Sequence, residues 1–442
     1  MKELNRIAAE RELGLDGARP PAEAQKRRAG SRVLGILLLV YILNFVDRQL
    51  VGILASSIKR DLALTDIQLG LLGGLAFAMF YTLLGLPVAW YADRRRRVPI
   101  VALALLIWSG FTCLCAGVRS FAMLFICRMG VGVGEAGSVA PSYSIVSDTF
   151  PPHQRGRAFA ILLCGVPVGS ACGITLGGTI AAALDWRSAF FIVGLIGVLA
   201  VPLVWFAVPE PVRGGFDRAG LSTRTGLSDV YRVLLGKPGF WLLSLGAGFS
   251  SIISYGSLFW LPSLLQRSLG LTLFNTALFY GSIVLVGGLI GVGVGGVLAD
   301  LAGKRDRRGF GLIGAVMSLL AVPAFGVALT AGSLRIAWPL LALAQALSMA
   351  WLSPTVTAIQ HIVPSYMRAS ASASFQLILN LMGLGCGPVA IGFISDHFAP
   401  RFGNDSLRWS ILIGLGFYLL AGAFFWAASR CLDRDWEDGS RP

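Results

Sequence analysis

The chain has 442 residues, of which 55% are hydrophobic and 14% charged, with a mean hydropathy of +0.72 and a net charge of +14. A soluble domain carries about 25% charged residues, so this composition excludes an ordinary water-soluble enzyme or nucleic-acid-binding module and points to a chain whose solvent is the bilayer. The seven cysteines (113, 115, 127, 164, 172, 386 and 431) fall in or at the ends of apolar segments without disulfide-framework or zinc-ligand spacing. They read as small packing residues, and no metal or cofactor is expected.

Residues 1–32 are polar and basic, with Lys26, Arg27, Arg28 and Arg32, and form a tail. The apolar run that follows is too long for the core of a cleavable signal peptide. A membrane-spanning helix needs roughly 20 apolar residues, and twelve stretches qualify. They lie at about 33–58, 67–91, 98–117, 121–146, 158–183, 186–208, 238–266, 274–299, 309–331, 336–362, 369–395 and 407–431. The longest polar interruption, 209–237, opens with Pro209, Glu210 and Pro211 and separates six segments from six. The sequence therefore predicts an all-α integral membrane protein with two six-helix bundles, 33–208 and 238–431, a central loop between them and a short tail at 432–442.

Lysines and arginines set the expected orientation. The termini and the loops following the even-numbered segments hold 27, whereas the loops following the odd-numbered segments hold 8. Positive charge favours the cytoplasmic side, so both termini and the central loop are expected there, in a plasma membrane (the inner membrane of a bacterium). The halves also repeat. Asp93 follows the second segment within Ala89-Trp-Tyr-Ala-Asp93-Arg-Arg-Arg-Arg97, and Asp300 follows the eighth within Gly296-Val-Leu-Ala-Asp300. Arg155-Gly-Arg-Ala before the fifth segment is matched by Arg368-Ala-Ser-Ala before the eleventh. The two spacings, 207 and 213 positions, are each close to half the chain, as in a parallel duplication.

Four ionisable residues lie well inside apolar segments: Asp47, Arg48, Arg128 and Glu135. Each costs about 2.5–3.5 kcal/mol at a helix centre, and two acids with two bases predict mutual pairing between the first and fourth segments. Two readings stay open. The cluster is either a static ion-pair network that fixes helix packing, or a protonation switch in which Asp47 and Glu135 titrate, Arg48 changes partners, and Arg128 holds Glu135 or meets an anionic substrate group. Segments seven to twelve carry no comparable mid-membrane acid or base.

The loop after the second segment resembles the Gly-x-x-x-Asp-Arg-x-Gly-Arg signature of the major facilitator superfamily, with Ala89 and Arg96 in place of the two glycines and Asp93, Arg94 and Arg97 retained. Within that superfamily, Asn44-Phe-Val-Asp47-Arg48, Arg128-x-Gly-x-Gly-x-Gly134-Glu135-Ala136 and Val166-Pro-Val-Gly-Ser170 resemble the spinster-type transporters. The resemblance implies proton-coupled or facilitated movement of lysolipids and sphingoid amphiphiles. It also places Gln376 and Asn380 where eukaryotic spinster-type relatives carry ionisable groups.

Asp93, Arg94 and Arg97 with Asp300 and Arg305, joined by Asp148 and Arg155, are expected to form a cytoplasmic gate between the halves. Glycines four apart (165, 169, 173, 177; 287, 291, 295; 70, 74; 383, 387) allow close helix approach, either as sliding contacts between the halves or as generic packing. Pro167, Pro262, Pro354 and Pro388 are expected to bend their helices. Asn44, Phe45, Tyr81, Tyr255, Phe259 and Trp351, with Gln376 and Asn380, are the candidate lining of a central cavity.

The leading expectation is a monomeric secondary transporter that moves a lysophospholipid-like or sphingoid amphiphile with protons by alternating access. The rivals are a multidrug exporter or organic-anion symporter of the same fold, and an energy-independent lipid flippase or transport-inactive receptor. An enzyme is disfavoured, because His153, His361 and His397 sit at segment ends away from the buried acids and no nucleophile–base motif occurs.

Overall fold

The computed structural model describes residues 21–92, 94–213, 227–364 and 367–437. The first twenty residues of the expected N-terminal tail, Asp93, residues 214–226 of the central loop and the last five residues lie outside the described residues, as does the side chain of Arg305. Among the described residues there are twelve helical passes: α1 (Pro21–Leu62), α2 (Asp66–Ala92), α3 (Arg97–Cys115), α4 (Phe121–Thr149), α5 (Gln154–Ala183), α6 (Trp186–Ala207), α7 (Pro238–Arg267), α8 (Leu273–Arg305), α9 (Gly309–Thr330), α10 (Leu334–Ile362), α11 (368–402) and α12 (406–435). The last two are separated by a tight turn at Gly403, whose φ of 53° is accessible to glycine without a Cβ penalty. A short helix, Leu227–Leu235, precedes α7.

Helix ends follow from backbone hydrogen-bond accounting, since the first N–H groups of each helix have no partner within it. At the face remote from the termini the caps are local. Thr65, Ser120, Asp185, Thr272 and Ser333 each accept a hydrogen bond from the first turn of α2, α4, α6, α8 and α10. At the face carrying the termini, distant carboxylates do this work. Glu210 accepts from the backbone N–H groups of Arg97 and Val98 at the start of α3, and Asp435 accepts from that of Gly239 at the start of α7.

Several helices are interrupted, and proline accounts for most of the interruptions. A proline cannot donate to the carbonyl four residues earlier. The breaks at residues 136–138 in α4, at Cys164 in α5 and at Trp351 in α10 fall three to five residues before Pro141, Pro167 and Pro354. In α11 the turns widen to π geometry over Asn380–Cys386, just ahead of Pro388. The breaks in α4 and α10 share the 213-position offset of the sequence repeat. Pro262, expected to bend α7, sits inside a helix that runs without interruption. In α2 the interruption needs no proline and is centred on Gly74.

The six-helix halves pack by the same plan. The pairs α1–α5, α3–α6 and α2–α4 correspond to α7–α11, α9–α12 and α8–α10, while α1–α7, α2–α11 and α5–α8 join the halves. The glycine stripes mostly serve packing within a half, which corrects the expectation of sliding contacts. A methyl at Gly169 or Gly173 of α5 would stand 2.6 or 2.5 Å from the Ile42 or Val46 carbonyl of α1, and those at Gly287, Gly291 and Gly295 of α8 would meet carbonyls of α10. Only the α2 pair lies between the halves: Gly70 and Gly74 face the Pro388 and Gly385 carbonyls of α11, at 2.5 and 2.7 Å from an added Cβ.

At the end remote from the termini the halves are latched by charge. Asp66 of α2 accepts from Lys59 at 2.6 Å, from Arg267 of α7 at 2.8 Å and from Ser395 of α11 at 2.8 Å. Asp396 of α11 in turn accepts from the Asp66 and Ile67 backbone N–H groups at the start of α2. Ser56 and Ser263 join α1 to α7 beneath this cluster.

Two outcomes are expected. Asp66→Asn leaves two cations facing each other across the latch at a cost of about 3–5 kcal/mol, so a thiol-specific reagent should label Ser263→Cys at least tenfold faster in that background than in wild type. Unchanged labelling would remove Asp66 from the latch. At the other face, burial pushes the Glu210 carboxyl up, but hydrogen bonds from Val98 and Arg97 and the adjacent guanidinium outweigh it, so its pKa lies below the ordinary value. A depressed carboxylate contributes stability above the unfolded-state pKa of about 4.3 and loses it as pH falls through the folded value. The melting-temperature gap between wild type and Glu210→Gln should therefore be constant near neutrality and close below about pH 4; a gap independent of pH across that range would contradict it.

Candidate functional site

The four buried charges form two ion pairs between α1 and α4. Asp47 accepts from Arg128 Nη1 at 3.1 Å, and Arg48 Nε donates to Glu135 Oε2 at 2.8 Å. Successive residues on α1 thus reach residues two turns apart on α4. The Asp47, Arg128 and Glu135 side chains are 3% exposed or less, whereas that of Arg48 is 10% exposed and faces the central cavity.

Each charge is further held by its surroundings. Asp47 Oδ1 accepts from Thr112 Oγ1 of α3 at 2.5 Å, and the Trp108 carbonyl lies 2.9 Å from the same hydroxyl. Thr112 has one hydroxyl proton and therefore two alternative acceptors. The Arg48 guanidinium lies 4.7–4.8 Å from the ring centres of Phe45, Phe77 and Tyr81. A desolvated cation over an aromatic face gains about 2 kcal/mol, so Arg48 keeps compensation even when Glu135 is neutral. Arg128 lies 5.6 Å from the Phe77 ring, which both guanidinium groups therefore share.

The cluster is not saturated. Glu135 Oε1 and Arg128 Nε are buried without a hydrogen-bond partner. One carboxylate oxygen thus remains open to a proton while the other holds Arg48. Asn44, expected to line the cavity, is fully buried and leaves both of its amide atoms unpartnered one turn from Asp47 and Arg48. Its place is behind the cavity wall.

The cavity occupies about 340 Å³ between the halves. Phe45, Tyr81, Tyr255, Phe259, Gln376 and Asn380 line it as expected. Trp351 does not: it is buried against Phe425, and its neighbour Leu352 reaches the cavity instead. The walls differ in chemistry. The first half supplies Arg48 and Arg128 with the hydroxyls of Tyr41, Tyr81 and Tyr143, of which Tyr41 and Tyr143 stand 3.1 Å apart. The second half supplies neutral groups: Gln345, Tyr255, and Gln376 donating to Asn380 at 3.1 Å.

The expected gate residues behave differently. Arg97 binds Asp148, Ser144, Glu210 and the Pro211 carbonyl, all in its own half or the start of the central loop. Arg94 turns back onto the Trp90 carbonyl and ring, Arg155 donates to the Ser147 and Phe150 carbonyls, and Asp300 is exposed. In the second half Arg308 pairs with Asp433 as Arg97 pairs with Glu210. These bonds bolt helix ends within a half, because a guanidinium beside a helix start finds the nearest carboxylate there. The cross-half latch lies at the opposite face, on Lys59, Asp66, Arg267, Ser395 and Asp396. Sequence reading had counted Lys59 and Arg267 only as topology charges; the signal available was an acid at the first helical position of α2, opposite the basic ends of α1 and α7.

Comparison with known proteins now has a geometry to meet. The Major Facilitator Superfamily model matches residues 37–385. An MFS-type efflux pump of Mycolicibacterium smegmatis is 34% identical over 410 residues, covering 92% of this chain and 94% of that protein. Protein spinster homolog 1 of Xenopus tropicalis is 28% identical, covering 90% and 80%, and that of Homo sapiens 27%, covering 91% and 81%. The crystal structure of a bacterial homologue of the human lysosomal transporter Spinster, inward-facing and unoccupied, superposes with a TM-score of 0.85 at 30% identity, covering 96% of this chain and all of the other. With its twelve passes in two related halves around a central cavity, the chain belongs to the major facilitator superfamily and is a spinster-like membrane transporter, not an enzyme.

Proposed function

We propose that this transporter couples proton movement to the passage of a lysophospholipid-like or sphingoid amphiphile by alternating access, with both termini in the cytoplasm and Asp47, Glu135, Arg48 and Arg128 as the coupling residues. The observation that carries this reading is the four-charge cluster on one wall of the cavity, neutral in sum, with an unpartnered carboxylate oxygen on Glu135. A proton arriving at Glu135 releases Arg48 from its ion pair into an aromatic cage that borders the cavity. There its charge can meet an anionic or zwitterionic head group, while the apolar remainder of the cavity accommodates a chain. The latch remote from the termini supports assigning the structure as closed to the outside, in keeping with its similarity to an inward-facing homologue. A membrane potential of 100 mV supplies about 2.3 kcal/mol per proton charge, enough for a roughly fiftyfold gradient.

The similarity to an efflux pump favours a second reading, in which the same cavity exports apolar drugs rather than lipids. The two separate in one assay. In proteoliposomes a pH gradient should stimulate flux of a fluorescent lysophospholipid by wild type, and a tenfold excess of cationic dye should compete weakly. Strong competition with no lysolipid flux would favour drug export.

The coupling residues are tested in the same vesicles. Asp47→Asn and Glu135→Gln preserve size but cannot carry the charge, and each is expected to reduce gradient-driven stimulation at least tenfold while leaving a slower, gradient-independent flux. Retention of the full pH response by both folded variants would show the cluster to be structural only. Retention by one would leave the other as the titrating group.

A further inference from the structure

The face remote from the termini is poor in basic residues, with 8 lysines and arginines in its loops against 27 on the other side. Three of these few converge on a second cavity of about 500 Å³, which straddles the latch between the halves. Lys59 and Arg60 enter from the end of α1 and Arg267 from the end of α7. The floor and rim include Asp66, Gln266, Thr272, Asn404 and Ser406. Three cations and one carboxylate give the cavity a net charge of +2. Asp66 is already engaged by Lys59, Arg267 and Ser395, and so cannot neutralise the rest. Arg60 is exposed and makes no hydrogen bond or ion pair among the described residues, and Arg267 Nη2 is buried without a partner among them while its Nη1 holds Asp66. Positive side chains facing one another across a gate repel; Asp66 offsets part of that repulsion, and a second counter-charge beside the unpartnered Arg267 Nη2 favours the closed gate further.

We infer that this cavity is an anion-binding site for a phosphate oxyanion, distinct from the transport cavity, and that its occupancy holds the latch closed. Arginine presents paired N–H donors matched to phosphate oxygens, and lysine adds a point charge. The volume is ample for a phosphate monoester or a phospholipid head group. The cations belong to different halves, so the bound anion bridges them; separation of the halves dismantles the site. A ligand with affinity for only one conformation shifts the equilibrium toward it by mass action. Phosphate at this face therefore favours the latched state and slows the step in which the gate opens there. The site stands whether or not the proposed proton coupling does, because none of the coupling residues lines it.

Inorganic phosphate, titrated against chloride at constant ionic strength, tests the site through the melting temperature of the detergent-purified full chain. A saturable rise is expected, with the apparent affinity falling at least tenfold in Arg60→Gln, a variant that breaks no ion pair and whose transport should match wild type in phosphate-free buffer. The source of the oxyanion is read in nanodiscs. If a lipid head group fills the site, phosphate stabilises the protein in phosphatidylcholine but adds nothing in phosphatidylglycerol; if free phosphate is the ligand, it stabilises equally in both. Faster labelling of Ser263→Cys in phosphate-free buffer than in saturating phosphate would tie occupancy to the latch. An equal rise in wild type and Arg60→Gln, a rise that never saturates, or no rise in detergent and both nanodiscs would overturn the proposal.

Discussion

Everything about the centre of this protein follows from placing four ionised side chains where water is excluded. A lone charge at that depth costs several kilocalories per mole, so Asp47 and Arg48 on α1 require Arg128 and Glu135 on α4, and the pairing fixes the rotation of both helices. Close approach of the backbones serves the same need. Gly130, Gly132 and Gly134 each meet a neighbour at 2.5–2.7 Å from an added Cβ, with Phe111, the Phe77 carbonyl and the Trp108 backbone as the partners. The glycines around Glu135 therefore set how near α2 and α3 come to the charges, and with them Phe77 and Thr112.

The two halves share a plan but not a chemistry. Where the first half buries charge, the second buries hydroxyls. Ser254 bonds Tyr418 at 3.0 Å, and Ser250, Ser257 and Ser318 are buried around the same helices. The polar groups that the second half turns to the cavity, Tyr255, Gln345, Gln376 and Asn380, are likewise neutral and can orient a ligand without changing charge between the two gate positions. A charged half and a neutral half thus divide the work on the proposed reading, with one responding to the proton and the other shaping the cavity wall opposite. The clamps Arg97–Glu210 and Arg308–Asp433, by contrast, are alike in both halves because each half must hold its third helix to its sixth.

The helix count, the division into halves and the buried charges were legible in the sequence because hydrocarbon imposes long apolar runs against which Asp47 or Glu135 stands out. The partners within the cluster were not, since Arg128 and Glu135 lie on one face of α4 and each acid could have paired with either arginine. The partners of the expected gate residues were hidden for a related reason. Basic residues beside Asp93 satisfy both topology and pairing, so their abundance said nothing about which half each would bind. Asp66 was overlooked because an acid at a helix start has an ordinary explanation in the helix dipole, and its two cations come from residues 7 and 201 positions away. Stripes such as Gly165–Gly177 were visible, but spacing gives a face and not the helix opposite it.

Coupling between the buried cluster and the latch has a direct mechanical route. The helix α1 runs unbroken from Pro21 to Leu62 and carries Asp47 and Arg48 as well as Lys59 of the latch, about 17 Å away at 1.5 Å per residue. Any tilt of α1 that follows a change of ion pairing at Arg48 must therefore move Lys59. The neighbouring α2 also touches both sites, through Phe77 and Tyr81 beside Arg48 and through Asp66 in the latch, but it is interrupted between them at Gly74. A rigid rod and a jointed one thus connect the same two points. When the rod moves, the joint at Gly74 lets the outer end of α2 stay with α11, whose segment Gly387–Phe402 packs against it, or part from it, without dragging the aromatic cage along. Two rigid helices would force cage and latch to move as one body, and two jointed ones would transmit nothing; one of each would let the proton of the proposed mechanism be felt at the gate.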